Sequence, residues 1–276
     1  MNVVLPDPSW LLVLIPAMAL TGIAAGFLAG LFGVGGGIVI VPVLSYVLPL
    51  LGVEEVVRQK LAVATSLATM IPTSWISARR HYAKGALDLA LVKSLAPGMI
   101  LGTLVGAALV VALRGEALSL VFAAVALLVA INLGFTGVDW RLRDTFPAGA
   151  ARQAIGAGLG LVSALMGIGG GTVGVPVLTM LGMPMIRAVA TASAFGLLIA
   201  IPATILVLFA PGHPAMPPFS VGYISLIGVA LIAPFSMLAT PYGVKVAHGI
   251  PQIVLKRAFA IFLAITAARM FHTSLT

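Results

Sequence analysis

Residues 33–44 read GVGGGIVIVPVL, and residues 167–178 read GIGGGTVGVPVL, so that one stretch occurs twice with three differences. A second motif follows each copy, because residues 62–65 and residues 188–191 both read AVAT. Further matches keep one constant offset and pair Gly85, Pro97, Thr103 and Gly106 with Gly222, Pro234, Thr240 and Gly243. Such spacing indicates an internal duplication that covers nearly the whole chain.

The composition is that of a membrane protein. The 276 residues are 61% hydrophobic and 8% charged, with a mean hydropathy of +1.19, whereas about a quarter of the residues in soluble domains are charged. The apolar residues run consecutively instead of alternating, which favours helices over a membrane barrel. A spanning helix needs about 20 such residues. We therefore predict an all-α polytopic membrane protein.

Ten apolar segments are predicted, five in each repeat. They fall at 10–33, 36–51, 61–78, 87–113, 117–138, 153–168, 171–182, 188–210, 219–244 and 254–272. An odd number of segments turns the second repeat upside down in the membrane. The predicted units are a first repeat over 1–138, a cytoplasmic linker over 139–151 and a second, inverted repeat over 152–276. Segments 36–51 and 171–182 are short, and whether they span or re-enter stays open.

The basic residues indicate the orientation. Ten lie in odd-numbered loops: Arg79, Arg80, Lys84, Arg141, Arg143, Arg152, Arg187, Lys245, Lys256 and Arg257. Four lie in even-numbered loops or at the termini: Arg58, Lys60, Arg114 and Arg269. The positive-inside rule then places the odd loops in the cytoplasm and both termini in the periplasm of a bacterial inner membrane. Loop charges of this kind explain the net charge of +8 without a nucleic-acid partner.

The two glycine triplets are candidate binding elements. They consist of Gly35, Gly36 and Gly37 in the first repeat and Gly169, Gly170 and Gly171 in the second. Three adjacent glycines break a helix, and the freed backbone groups must be buried in protein or line a cavity. Inverted-repeat transporters direct such half-helix N-termini at anionic substrates near the midplane, where we expect the two turns to meet. The alternative is close helix packing, which we expect for Gly26 and Gly102.

Hydroxyl and basic side chains near these motifs complete the candidate site. The hydroxyls belong to Thr65, Ser66, Thr172, Thr191 and Ser193. Each can donate to an oxyanion or bond back to a carbonyl one turn earlier, and both readings stay open. The nearby charges Lys60 and Arg187 line an anion vestibule or snorkel to the membrane surface.

Titratable groups are predicted to lie outside the spans. The acidic residues and the histidines, including Asp88, His81, His213 and His248, fall at segment ends or in loops. A mid-span Asp, Glu or His is what a proton relay or an intramembrane enzyme needs. The chain also has no cysteine. We therefore predict no catalytic residue, no metal, no cofactor and no intramembrane proton relay.

The paired G-[VI]-G-G-G-x-V-x-V-P-V-L and AVAT motifs resemble those of the sulfite exporter TauE/SafE family, over about Ala25 to Arg269. The resemblance implies a bacterial plasma-membrane carrier associated with sulfite, sulfoacetate and related organosulfur anions. One departure is visible, since Thr65-Ser66 of the first repeat corresponds to Thr191-Ala192-Ser193 in the second.

These observations predict a transporter of a small sulfur-containing anion, working in the lipid bilayer by alternating access. A passive anion channel and a carrier of another small organic anion are the alternatives. An intramembrane lipid-modifying enzyme would need a polar catalytic group that the predicted spans lack. Homo-oligomerisation stays open.

Overall fold

The computed structural model describes residues 9–135 and 146–275, which form ten helices and one short hairpin. The helices are α1 (Ser9–Phe32), α2 (Gly37–Leu50), α3 (Glu55–Ala83), α4 (Leu89–Ala112), α5 (Gly115–Phe135), α6 (Gly149–Met166), α7 (Gly171–Met180), α8 (Met185–Phe209), α9 (Leu226–Ala247) and α10 (Gln252–Leu275). The all-α polytopic fold predicted from the sequence is confirmed, and every predicted segment corresponds to one helix.

The start of the ninth segment differs from the prediction. Residues 219–225 are not helical, because β1 (Ser220–Val221) pairs antiparallel with β2 (Ile224–Ser225). Two consecutive prolines, Pro217 and Pro218, precede this hairpin, and proline cannot supply the N–H groups that a helix interior requires. Helix α9 begins at Leu226, where the side chain of the N-cap residue Ser225 accepts the N–H of Gly228.

Six helices within the described residues are long and apolar enough to cross a membrane, namely α1, α3, α4, α5, α8 and α9. The helices that follow the glycine turns are shorter, with 14 residues in α2 and 10 in α7. At 1.5 Å per residue they extend about 21 Å and 15 Å, whereas the hydrocarbon core is about 30 Å thick. Neither can cross the bilayer alone.

Helix α3 is longer than the segment 61–78 that predicted it. It contains Lys60 and His81, and the His81 side chain is completely buried. His81 lies in the last turn of α3, at a segment end as predicted, but its complete burial was not expected. Hydropathy located the apolar centre of this helix, but its ends continue through polar residues, of which Lys60 bonds to Val111 of α4 and His81 to Gly30 of α1.

The two repeats are interlocked. Helix α1 packs along α9, and the equivalent helix α6 packs along α4, while α3 lies against α8 and α5 against α10. Each repeat therefore places its first helix on the fourth helix of the other. The predicted boundaries stay predictions: residues 136–145 lie outside the described residues, and α6 begins at Gly149, inside the predicted linker 139–151.

Glycines allow the α1–α9 and α4–α6 backbones to touch. A methyl group on Gly26 would overlap the Ser236 carbonyl, and one on Gly102 would overlap the Ala157 carbonyl. Small residues permit this close approach between membrane helices. The packing role predicted for these glycines is confirmed.

Candidate functional site

The two glycine turns touch each other inside the bundle. The N–H of Gly169 donates to the carbonyl of Val34 at 2.9 Å, and a methyl group on Gly35 would lie 3.3 Å from the Cα of Gly169. Both turns lie against the middle of α3, where Gly35 is beside Met70 and Gly167 is beside Val63. The predicted meeting of the glycine-broken segments is confirmed.

Each turn leads into a helix whose N-terminus is buried and has no side-chain cap. The N-cap residues Gly36 of α2 and Gly170 of α7 have no side-chain hydrogen bond, and both are buried together with Gly37 and Gly171. The first N–H groups of a helix have no acceptor within the helix, and the terminus carries about half a positive charge. Two such termini in contact can bind an anion.

Two hydroxyls beside these turns have no hydrogen-bond partner within the described residues. Ser74 is 1% exposed, and its Oγ lies 3.0 Å from where a methyl group on Gly35 would sit. Thr172, in the first turn of α7, is fully buried with an unpaired Oγ1. A buried hydroxyl without a partner is unusual and requires an explanation. A hydrogen bond donated to a bound oxyanion would explain both unpaired hydroxyls.

Ser74 is the functional candidate that the sequence reasoning missed. It lies outside the duplicated motifs, and counting on from the repeated AVAT places Ala200 at its counterpart in the second repeat. The sequence feature that could have identified Ser74 is its spacing, because Ser66, Met70 and Ser74 are four residues apart and share one face of a helix.

The threonines of the AVAT motifs join the two repeats. Thr65 Oγ1 accepts the N–H of Ser225, which precedes α9, at 3.0 Å. Thr191 Oγ1 accepts the N–H of Asp88, which precedes α4, at 3.1 Å. Each threonine therefore holds the start of the fourth helix of the other repeat. Their predicted contact with substrate stays a prediction.

The two serines of these motifs differ from each other. Ser66 Oγ donates to the Gly167 carbonyl at 2.7 Å and would lie 2.9 Å from a methyl group on Gly37. Ser66 therefore contacts both glycine turns. Ser193 Oγ donates to the carbonyl of Ala190 in its own helix at 2.6 Å, which is the local alternative expected for such hydroxyls.

The two candidate vestibule charges contact opposite ends of α4. Lys60 Nζ donates to the carbonyl of Val111 at 2.6 Å. Arg187 lies 3.7 Å from Asp88, the N-cap of α4, and both side chains are partly exposed. The structure does not bring the two charges together, and their vestibule role stays a prediction.

We expect Thr65→Val to lower the stability of the protein by about 1–3 kcal/mol, because it removes the acceptor of the Ser225 N–H. The matched control is Thr69→Val, since Thr69 Oγ1 only bonds back to the carbonyl of Thr65 in the same helix. Thermal unfolding in detergent measures both variants. Equal unfolding temperatures for the two would contradict the role assigned to Thr65.

The fold and the site together define a multi-pass membrane protein with two buried helix N-termini in contact. The model of the sulfite exporter TauE/SafE family matches residues 18–270, and the chain belongs to that family. It is 34% identical over 253 residues to a probable membrane transporter protein of Haemophilus influenzae, covering 91% of this chain and 96% of the relative. A probable membrane transporter protein of Methanocaldococcus jannaschii is 29% identical over 242 residues, covering 85% and 87%. No solved structure matches.

Proposed function

We propose that this protein transports a small sulfur-containing anion, such as sulfite, sulfoacetate or a related organosulfonate, across the bacterial plasma membrane by alternating access. The main support is the pair of buried, uncapped helix N-termini at Gly36 and Gly170, which contact each other beside unpaired hydroxyls. The family name supports the sulfur chemistry. We assign no catalytic step and no cofactor.

The electrostatics of the interior suit an anion. Among the residues whose burial is described, no Asp, Glu or Arg is buried. A buried carboxylate would repel an anionic substrate, whereas helix N-termini attract it. A sulfur oxyanion presents several acceptor oxygens, which can be shared between the backbone N–H groups and the hydroxyls of Ser74 and Thr172.

Movement of the turns is required for substrate to enter. The site is closed, because a methyl group on Gly35 would already lie 3.0 Å from both Met70 Cγ and Ser74 Oγ. The turns belong to different repeats, and inverted-repeat transporters expose such a site by moving one repeat against the other. The flexible Met70 side chain can also change its rotamer. A closed site between two movable halves supports a carrier over an open channel.

The test is flux in proteoliposomes containing the purified protein, with sulfite, thiosulfate, sulfoacetate, taurine and sulfate as the panel. We expect saturable flux and counterflow for at least one sulfur anion. Flux without saturation or counterflow would instead identify a passive channel. The absence of flux for every compound of the panel would overturn the proposed substrate class.

We also propose that both termini are periplasmic, because basic residues concentrate in the odd-numbered loops. Introduced cysteines are unique labels, since the chain has none. Glu54, which precedes α3, and Ala83, its last residue, are both exposed. A membrane-impermeant thiol reagent added to intact cells should label Glu54→Cys but not Ala83→Cys. The reverse pattern would contradict the orientation.

A further inference from the structure

Two imidazoles meet at the basic end of the bundle, defined here as the end that carries Arg79, Arg80, Lys84 and Lys245. His81 Nδ1 lies 3.0 Å from Nε2 of His248, the C-cap residue of α9. His81 Nε2 lies 3.1 Å from the carbonyl of Gly30 in α1. One fully buried side chain therefore joins α3 to both α1 and α9, and so joins one repeat to the other.

The number of protons that this contact can hold follows from its geometry. The Gly30 carbonyl can only accept, so His81 Nε2 carries a hydrogen. In the neutral pair, His81 Nδ1 is the acceptor and His248 Nε2 is the donor. One added proton can reside on the outer nitrogen of His248 with the contact intact. A second proton would place hydrogens on both facing nitrogens, and the two imidazolium rings would separate.

Further hydrogen bonds join α3 to α1 and α9 at the same interface. The Thr73 and Ser236 hydroxyls are 3.0 Å apart, and Ser77 Oγ donates to the Ala29 carbonyl at 3.3 Å. Counting on from AVAT, the counterparts of Thr73, Ser77 and His81 in the second repeat are Ile199, Ala203 and Val207. The second repeat therefore carries apolar residues at these three positions, and these hydrogen bonds have no counterpart there on α8.

The surrounding charges oppose protonation of the closed pair. Lys84, just after α3, repels a proton on His248, and burial together with Lys84 lowers the pKa of His248. The side chains of Arg80 on α3 and Lys245 on α9 are exposed, and α1 contributes the Gly30 carbonyl. A lowered pKa means that the closed state binds fewer protons than a hydrated, open one. The closed state is thus favoured above about pH 6.5 and loses stability as the pH falls below that value.

We infer that His81 and His248 form a proton-binding site that holds the basic end closed, and that proton uptake there opens this end during transport. The coupling of this opening to transport rests on the proposed function, whereas the opening itself does not. His81 lies in the last turn of α3, so the pair is not the mid-span proton relay whose absence the sequence predicts. The proton acts by linkage, since it binds the open state better than the closed one.

The experiment measures how accessible a buried cysteine is as the pH changes. Ser77→Cys lies one helical turn from His81, and Ala83→Cys is an exposed reference at the same end. The ratio of their labelling rates in detergent cancels the pH dependence of the thiol itself. An imidazole that titrates near pH 6.5 only in the open state should raise the ratio about tenfold per proton between about pH 7.5 and about pH 5.5.

Non-titrating variants and a matched histidine identify the source of the effect. His81→Gln and His248→Gln should each remove most of the pH dependence, and His248 is half-buried and more tolerant of change. His213→Gln is the control, because His213 is exposed in a loop, and it should leave the dependence intact. A wild-type ratio that does not change with pH, or one that still changes in both pair variants, would overturn the proposal. No substrate is used, so the outcome is independent of the flux experiment.

Discussion

Gly171→Ala is expected to prevent the protein from reaching a monodisperse folded state. Its methyl group would overlap the carbonyl of Gly33 and lie 2.7 Å from the nitrogen of Val34. Both atoms belong to the backbone of the other glycine turn, which cannot retreat without losing the bond from Gly169 to Val34. We expect a loss of more than about 3 kcal/mol, above the usual cost of overpacking. Size-exclusion chromatography and thermal unfolding in detergent measure it.

Gly158→Ala is the matched control in the neighbouring helix α6. Gly158 is exposed, and a methyl group there would meet nothing within 4 Å. Replacing a helical glycine by alanine should raise stability by about 0.5–1 kcal/mol. If Gly171→Ala unfolded at the wild-type temperature, the two turns could not be packed backbone to backbone.

The repeated motifs predicted where the chain turns and which turns meet, but not their conformations. Gly35 and Gly36 have φ values of +70° and +87°, in the region that favours glycine, whereas Gly170 has φ −58°. The same three-glycine sequence therefore adopts different backbone conformations in the two repeats. The neighbours differ as well, since a methyl group on Gly36 would approach Ala25, and one on Gly170 would overlap the Phe195 side chain. Such contacts between distant segments cannot be read from the motif itself.

The roles of the hydroxyls could also not be predicted from the sequence. Spacing identified Thr65 as a candidate, but its bonding partner, Ser225, lies in the other repeat. Ser74 was missed because a search for repeats favours positions that occur twice. The burial of His81 was not predicted, because hydropathy averages over a helix and underestimates its length where a polar side chain is buried by its neighbours. Partners close in space and distant in sequence decide the cases of Thr65 and His81.

Ser74→Ala is expected to weaken binding of the transported anion by about 10- to 100-fold, the scale of one hydrogen bond to a charged partner. Ser74→Val should abolish binding, because it removes the hydroxyl and adds a methyl group to a side chain that already lies against both Gly35 and Gly196. The ligand is whichever sulfur anion shows saturable flux, and calorimetry on monodisperse variants measures its affinity. Thr103→Val is the control, since Thr103 is an equally buried, unpaired hydroxyl that packs against Gly160 of α6.

The unfolding temperature distinguishes a binding role of Ser74 from a structural role. An unpaired buried hydroxyl destabilises the empty protein, so both Ser74→Ala and Thr103→Val should raise the unfolding temperature without ligand. Only Ser74→Ala should also reduce the further rise that saturating ligand produces, because ligand stabilises the folded state in proportion to its affinity. A structural serine would instead lower the unfolding temperature and leave affinity unchanged. Wild-type affinity in Ser74→Ala would exclude its hydroxyl from the site and leave the backbone N–H groups of the glycine turns as the remaining donors.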